Sequence, residues 1–395
     1  MNLRFLSLSL AIFSCIGVGP QVFAQAGNDN TGGVTGEYYG SITTAGYYDP
    51  FTGNAKREID DIVVPGSIGA YPLKYTRTYN TRGAAGWTGN YSWNLWVRPP
   101  DEDLGNGDGF YDGPVRGLQY PNGGHFDTIV YDSPWYLDAN GVHGASDQLL
   151  TCSSGGCTRG SGAAYELWRA DGGKVLFEAA PQPRNYRGYA IIDPYGQRTT
   201  LSYDSRGSLW KVTEPGGRYL EFVYSPFTYW VPYTIDTIPP HWETGWMFTA
   251  VRADDGRGNT IETVNYGYDG ANLTHVYYDD GAQATYTYQD SNMDPYLGLY
   301  SYMQVLHTCD DPRYAGPMKY IEYDYFHQSD APGLIGQGQI KAEKNIYHQI
   351  VSRISYPTSY TDPNLSIRTE TRGDGSSRTF NYAVFGQGVW STIWG

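Results

Sequence analysis

An all-β fold of stacked hairpins is what this sequence predicts, on three observations. The 395 residues carry 38 Tyr and 50 Gly against only 17% charged residues, a composition that suits pleated strands and tight turns. No long run of apolar residues follows the 3.6-residue period of a helix. One supersecondary unit also recurs: Leu209, Val212, Gly217, Phe222 and Tyr224 reappear as Leu273, Val276, Gly281, Tyr286 and Tyr288, each shifted by 281 − 217 = 64 positions. Such recurrence marks a repeat architecture, in which one unit cannot bury its apolar face alone and stacks on its neighbours.

Residues 1–26 read as a secretory signal. Arg4 supplies the positive start, Phe5 to Val18 form an apolar run short for a membrane span, and Val22-Phe23-Ala24 or Ala24-Gln25-Ala26 offers small residues for cleavage. Ile12-Phe13-Ser14-Cys15 is a poor lipoprotein box because Phe13 is bulky. Export places the mature chain outside the cytoplasm, secreted or at the cell surface, where disulfides can form. Residues 27–46, rich in Gly, Thr and Tyr without periodicity, are expected to be a flexible leader.

A β-rich opening domain is expected over 47–165. Leu73, Tyr75, Arg77 and Tyr79 alternate with Lys74, Thr76 and Thr78, and the aromatic residues from Tyr91 to Trp96 suit the space between sheets. Asp101 to Asp112 reads as a solvated acidic hairpin tip, since Gly105 breaks the alternating oxygen ligands a calcium loop needs. Residues 131–165 look like irregular connection. Within them Cys152 and Cys157 bracket Ser153-Ser154-Gly155-Gly156, a turn able to bring their α-carbons to bridging distance, so a local disulfide is expected. Cys309 is left over, either buried or paired between chains, and the ligands for a zinc site are lacking.

The repeat region is expected over 166–395. A weak first echo lies in Asp171-Gly172 followed by Phe177. From Asp193 to Tyr224, three strand patterns are joined by Asp204-Ser205-Arg206-Gly207 and by Pro215-Gly216-Gly217. An Asp opening such a turn can bond the backbone two residues on, and a closing Gly supplies the left-handed conformation of a bulged hairpin. Leu220, Phe222 and Tyr224 then define one face, with Tyr219, Glu221 and Val223 on the other. A half copy follows the second repeat, in which Gly375, Phe380 and Tyr382 keep the shift 375 − 217 = 158 while Ile367 and Glu370 stand where Leu209 and Val212 would recur. Between the best repeats, Ser225 to Phe248 reads as an aromatic and Pro-rich loop. It either covers a sheet edge or presents Trp230, Trp242 and Trp246 for stacking on a sugar. Residues 289–318 read as a second aromatic connection, 320–325 return to alternation, and 333–343 suit a degenerate repeat.

These residues carry a family resemblance. Tyr203-Asp204-x-x-Gly207-x-Leu209, followed by Val212-Thr213-x-Pro215-x-Gly217-Arg218, resembles the YD repeat of the Rhs family, shared by toxin-complex cocoon proteins and teneurins. Asp49-Pro50-x-Thr52-Gly53-Asn54, Val64-Pro65-Gly66, Arg77-Thr78-Tyr79-Asn80 and Gly86-Trp87 resemble the domain that opens Rhs proteins. The resemblance implies a spiralling β-sheet shell around a C-terminal or separately encoded cargo, commonly a toxin, with the opening domain closing one end. No Asp-Pro and Gly-Gly rich autoproteolytic segment follows the last half repeat, so self-cleavage is not carried over. With few repeats the strand at Thr379 to Tyr382 is expected to need further YD repeats or a partner chain.

Composition and motifs exclude several classes. A net charge of −14 argues against nucleic acid as a partner. There is no G-x-S-x-G, H-E-x-x-H, G-x-x-x-x-G-K or G-x-G-x-x-G motif, and the histidines are scattered. Abundant carboxylates leave a glycosidase pair open, since two acids can meet only in the fold. The expectation is a secreted, non-enzymatic YD-repeat protein without cofactor or metal. It forms part of a shell that encloses or presents cargo, or a shortened interaction module. The alternative is a secreted carbohydrate-binding protein using Trp230, Trp242 and Trp246.

Overall fold

A computed structural model describes residues 48–49, 54–80 apart from Ser67, 87–98, 115–119, 121, 125–129, 148–152, 157–169 apart from Arg159, 171–231, 241–290, 304–326 apart from 316–317, 340–356 and 367–381. Every regular element among them is a strand, and the strands form two antiparallel sheets. The small sheet contains β1 (Tyr48–Asp49), β2 (Asn54–Val63), β3 (Lys74–Asn80) and β4 (Trp87–Gly89), paired in that order. The large sheet, here the wall, begins with β5 (Asn94–Arg98), β6 (Val115–Gln119), β7 (His125–Ile129), β8 (Gln148–Thr151), β9 (Tyr165–Trp168), β10 (Lys174–Ala179) and β11 (Asn185–Ile192). It continues through β12 (Arg198–Tyr203), β13 (Leu209–Thr213), β14 (Tyr219–Val231), β15 (His241–Asp254), β16 (Thr260–Asp269), β17 (Asn272–Tyr278) and β18 (Gln283–Asp290). Its last strands are β19 (Gln304–Asp310), β20 (Tyr320–Tyr325), β21 (Ile340–Lys344), β22 (Ile350–Ser355), β23 (Ile367–Arg372) and β24 (Ser377–Asn381).

From β8 to β24 each strand pairs with the next in chain order. Strand β5, leading β6 and β7, pairs with the N-terminal end of β11, beside β12. The division placed at 165/166 therefore runs through one sheet, and only β1–β4 stand apart from the wall. Strands β8 and β19 arise in stretches that read as irregular, because each is separated from a partner strand by a long connection, residues 152–164 ahead of β9 and 291–303 after β18.

The 64-residue shift recurs in the hydrogen-bonding register. In β13–β14, Lys211, Val212 and Thr213 face Glu221, Leu220 and Tyr219; in β17–β18, His275, Val276 and Tyr277 face Thr285, Ala284 and Gln283. The half copy follows at 158, with Thr369, Glu370 and Thr371 facing Thr379, Arg378 and Ser377. Gly207, Gly217, Gly281 and Gly375 hold φ between 82° and 89°, where a β-carbon is strained. His348, at φ 58°, takes that place in the Asn345 turn. Side chains supply the rest of the turn: Asp204 Oδ1 accepts the amides of Arg206 and Ser208, and Asp193 Oδ1 those of Tyr195 and Gln197. The early echo is built the same way, with Asp171 Oδ1 accepting the Gly173 amide at 2.9 Å.

A tyrosine clip joins the two strands of a repeat. A register shift comes just before Tyr203, Tyr224, Tyr288 and Tyr325, and bulges re-aim side chains in this way. The hydroxyl of Tyr224 donates to Leu209 O at 3.0 Å and that of Tyr288 to Leu273 O at 2.7 Å, the same bond 64 residues on. Tyr203, Tyr325 and Tyr356 donate likewise to Gly188, Leu306 and Ile340. Burial pushes the Tyr224 phenol up to about 12, so it remains a donor at neutral pH. Tyr224→Phe and Tyr288→Phe should each cost about 1 kcal/mol; equal losses in urea melts would show the clip working alike in both repeats.

Ser225 to Val231 and His241 to Phe248 are not loop but paired strand, the arm of a long hairpin. Pairing between β14 and β15 continues from Tyr219↔Asp254 out to Val231↔His241, whereas β13 and β16 flank only its base. Beyond that base β14 is flanked on one side, which is where a strand tolerates Pro226. Two-residue alternation puts Trp242, Thr244 and Trp246 on one face of this ribbon.

Candidate functional site

The small sheet and the wall share one apolar core. Ile59, Tyr75 and Tyr79 of the small sheet join Val212, Leu220, Phe222, Val251 and Val276 of the wall in a single buried cluster. Phe222 and Phe248 meet the Tyr75 ring edge-on at 5.4 and 5.6 Å. Leu273 is 3% exposed, and Leu209 packs on the cluster from its margin.

Within that core lies an ionic junction. Asp61 is the extra residue of a bulge in β2, between Asp60↔Thr76 and Ile62↔Tyr75, and the bulge turns it toward the wall. Its carboxylate receives Arg77 from β3, through Nε to Oδ2 and through Nη2 to Oδ1 at 2.9 Å. The same Nη2 reaches Tyr286 at 3.0 Å and Asp311 at 3.3 Å on the wall. Three phenols complete the shell. Tyr266 donates to Asp61 at 2.6 Å, Tyr278 lies 3.2 Å from Asp61 and 3.1 Å from Asp311, and Tyr286 donates to Asp311. Two carboxylates thus share one guanidinium and three phenol hydroxyls, out of contact with water.

Burial shifts these groups strongly. It raises Asp61 above the ordinary carboxylate value, against the opposing pull of Arg77 and the Tyr266 bond, and nearby Asp311 pushes it the same way as burial. Burial alone would lower Arg77, but the charge of Asp61 and the phenols of Tyr286 and Tyr278 raise it further, so it stays charged. A second buried cation sits beside this junction: Arg57, fully buried, lies 3.9 Å over the Tyr314 ring and donates to Met318 O at 2.8 Å. Trp87 and Tyr79 add bonds to Tyr288 and Leu306.

The wall residues of this junction occupy repeat positions. By the shared register, Tyr266, Tyr278 and Tyr286 stand where the first repeat has Leu201, Glu214 and Phe222. The junction was missed in the sequence, yet its signal was there: three places where the second repeat trades the first repeat's residue for Tyr. Their chemistry is that of docking: Arg77 Nη2 bonds Tyr286 and Asp311 of the wall, and Tyr266 and Tyr278 of the wall reach Asp61 of the small sheet, while Arg77 Nη1 is buried without a hydrogen-bond partner.

A strap from Pro65 to Tyr71 adds a second attachment, along successive hairpin turns of one rim. Tyr71 donates to Asp171 at 2.7 Å, the Ala70 amide to Asp193 at 2.6 Å and the Ile68 amide to Glu214 at 3.3 Å, while Arg218 donates to the carbonyls of Pro65 and Gly66. Burial would raise Asp193, but the amides of Ala70, Gln197, Tyr195 and Gly196 hold it below the usual carboxylate range. A carboxylate lowered on folding stabilises above its unfolded value near 3.9 and loses that contribution as pH falls through the folded value. Asp193→Asn should therefore flatten the acid limb of melting temperature against pH; an unchanged acid limb would show that this turn carries none of it.

The remaining expected site residues are placed as follows. Cys152 and Cys157 form a disulfide with α-carbons 5.0 Å apart. Cys309 is buried, and burial pushes its thiol up to about 11. Trp242 and Trp246 are 67% and 50% exposed, with the Arg206 guanidinium 3.8 Å over the Trp246 ring. The Trp230 backbone pairs with Trp242; its side chain lies outside the described residues, as do the Phe380 side chain, Tyr382, the leader and the acidic loop at 101–112. Glu370, at the Val212 position of the half copy, is fully buried and accepts the Ser352 hydroxyl at 3.1 Å.

No family model and no curated protein matches the chain. Among solved structures it is similar to a chain of TcdB2-TccC3, at 14% identity and TM-score 0.35 over 66% of this chain and 17% of that one. A chain of TcdB2-TccC3-Cdc42 matches at 15% identity and TM-score 0.35, over 84% of this chain and 21% of that one. A porin-like protein from Bacteroides uniformis matches at 11% identity and TM-score 0.24, over 82% of this chain and 95% of that one. The chain spans about a fifth of the TcdB2-TccC3 chains it matches.

Proposed function

We propose that this is an exported, non-enzymatic YD-repeat protein whose wall forms part of a β-shell that encloses or presents a polypeptide cargo, with the small sheet as its docked internal plug. The observation that supports it is the pairing of a register-true repeat wall with a separate sheet anchored to it by a shared core and a buried ionic junction. Unit repetition builds surface rather than a catalytic cleft. The test is isolation of the protein from its native host, intact mass, and limited proteolysis. The expected result is a chain cleaved after Ala24 or Ala26, recovered outside the cytoplasm with a defined polypeptide that resists protease until the shell is opened. A protein that carries no protected polypeptide would overturn the reading.

A second reading has its own observation: Trp242 and Trp246 share the exposed face of a protruding ribbon, and ring faces of this kind stack on sugars. It expects tryptophan fluorescence to shift with a polysaccharide and the shift to vanish in a Trp242→Ala, Trp246→Ala variant. Silence across a broad glycan panel would remove it.

A further inference from the structure

The arm of β14 and β15 carries the core-facing side of the wall past the small sheet. Two-residue alternation along β15 puts Trp242, Thr244 and Trp246 on the face of Phe248, whose ring meets Tyr75 of the small sheet at 5.6 Å. The face that docks the small sheet therefore runs on into Trp246 and Trp242, which are 50% and 67% exposed. The two edges of the arm differ. The Glu214 amide donates to Arg218 O at 3.0 Å and closes the β13–β14 hairpin, so Val212 and Leu220, two residues further along each strand, are a hydrogen-bonded pair. Counting on in twos from Leu220, Pro226 turns its nitrogen to the outer edge of β14 and removes a donor there. Ser225, Phe227 and Tyr229 are then the residues that exchange hydrogen bonds with Met247, Gly245 and Glu243, and Thr244 and Trp246 direct N–H and C=O away from β14. Strand β16 pairs with β15 only as far as Asn265↔Ala250, and no described strand flanks residues 241–249 on that side. Their sequence, HWETGWMFT, holds neither Lys nor Pro, the residues that guard an edge against pairing. Seven residue pairs, from Ser225↔Met247 to Val231↔His241, give a face of about 23 by 10 Å, well short of the ~800 Å² that each partner of a stable folded complex buries. That is too little for a second copy or a folded domain, and enough for one extended strand. A sugar would find one side of Trp246 already under the Arg206 guanidinium, 3.8 Å away.

We propose that the outer edge of β15 takes up an extended segment of the cargo polypeptide as an added strand, with apolar residues of that segment packed along Trp242 and Trp246. The proposal rests on the shell reading and names the contact through which the cargo is held. The test uses the full chain and the peptide Thr-Val-Thr-Phe-Thr-Val-Thr, with a counterpart carrying Pro in place of Phe, and reads hydrogen exchange at single amides. The first peptide should slow exchange at Thr244 and Trp246 and leave Gly245, whose amide faces β14, unchanged; the Pro counterpart should do neither. Thr244→Pro removes one outward donor and no bond to β14, so it should melt like the wild type and weaken the peptide about tenfold. The same variant, isolated from the native host, should release its polypeptide faster than the wild type. A polypeptide held equally by the wild type and Thr244→Pro overturns this proposal and leaves the shell reading standing, whereas a wild type without a protected polypeptide overturns both. Peptide that leaves Thr244 and Trp246 unprotected, or protection by a polysaccharide in its place, also overturns the added strand.

Discussion

Replacing Arg77 by Ala is expected to lower the unfolding free energy by about 3–5 kcal/mol, the cost of leaving a buried carboxylate without its cation. Here two carboxylates, Asp61 and Asp311, lose the same guanidinium, and Tyr286 loses a donor. The loss should be uneven in space: amides of β2 and β3 should exchange faster, while hairpins such as β23–β24, remote from the junction, keep their protection. Asp61→Asn should cost much less. Burial raises Asp61 on folding, so this group contributes stability below its unfolded value near 3.9 and loses it as pH rises from there through the folded value. Asp61→Asn should therefore gain on the wild type as pH rises through that window. Urea denaturation of both variants from pH 3 to 8 checks this, and an Arg77→Ala loss under about 1 kcal/mol would show that the junction does not hold the sheets together.

Phe222→Ala should cost about 3–5 kcal/mol, as expected for removing a buried aromatic ring from a packed core. Phe222 is 6% exposed and touches Tyr75 of the small sheet as well as Phe248 of the wall. Its deletion opens a void shared by both sheets. The expected thermal melt is still one transition at a lower temperature, since the sheets have one core between them. Two separated transitions in calorimetry would mean that the small sheet folds on its own and that the shared cluster adds little.

Much of the wall was legible because its determinants are local. Alternation with period two, Asp at the start of a turn and Gly at its left-handed residue act over a few positions, so the 64-residue register could be read and recurs in the pairing of Val212 with Leu220 and Val276 with Ala284. The paired residues 225–231 and 241–248 misled for an equally local reason: Pro239, Pro240 and the clustered rings read as a loop, although a ribbon flanked on one side accommodates rings and Pro226 in its strands. Lys74, Thr76 and Thr78 alternate with large residues as if one face were wet. Yet Thr76 and Thr78 are each only 2% exposed, and the Thr76 hydroxyl is turned to Asp60 rather than to water.

The amino-acid order by itself determined the strand class, the turn residues and the repeat length, since each follows from neighbours within a hairpin. Only the tertiary structure decided that Asp61 and Arg77 meet Asp311, Tyr266, Tyr278 and Tyr286 across more than 200 residues. That meeting depends on how the small sheet packs against the wall, which is set by the summed packing of many strands and by the need to pair buried charges.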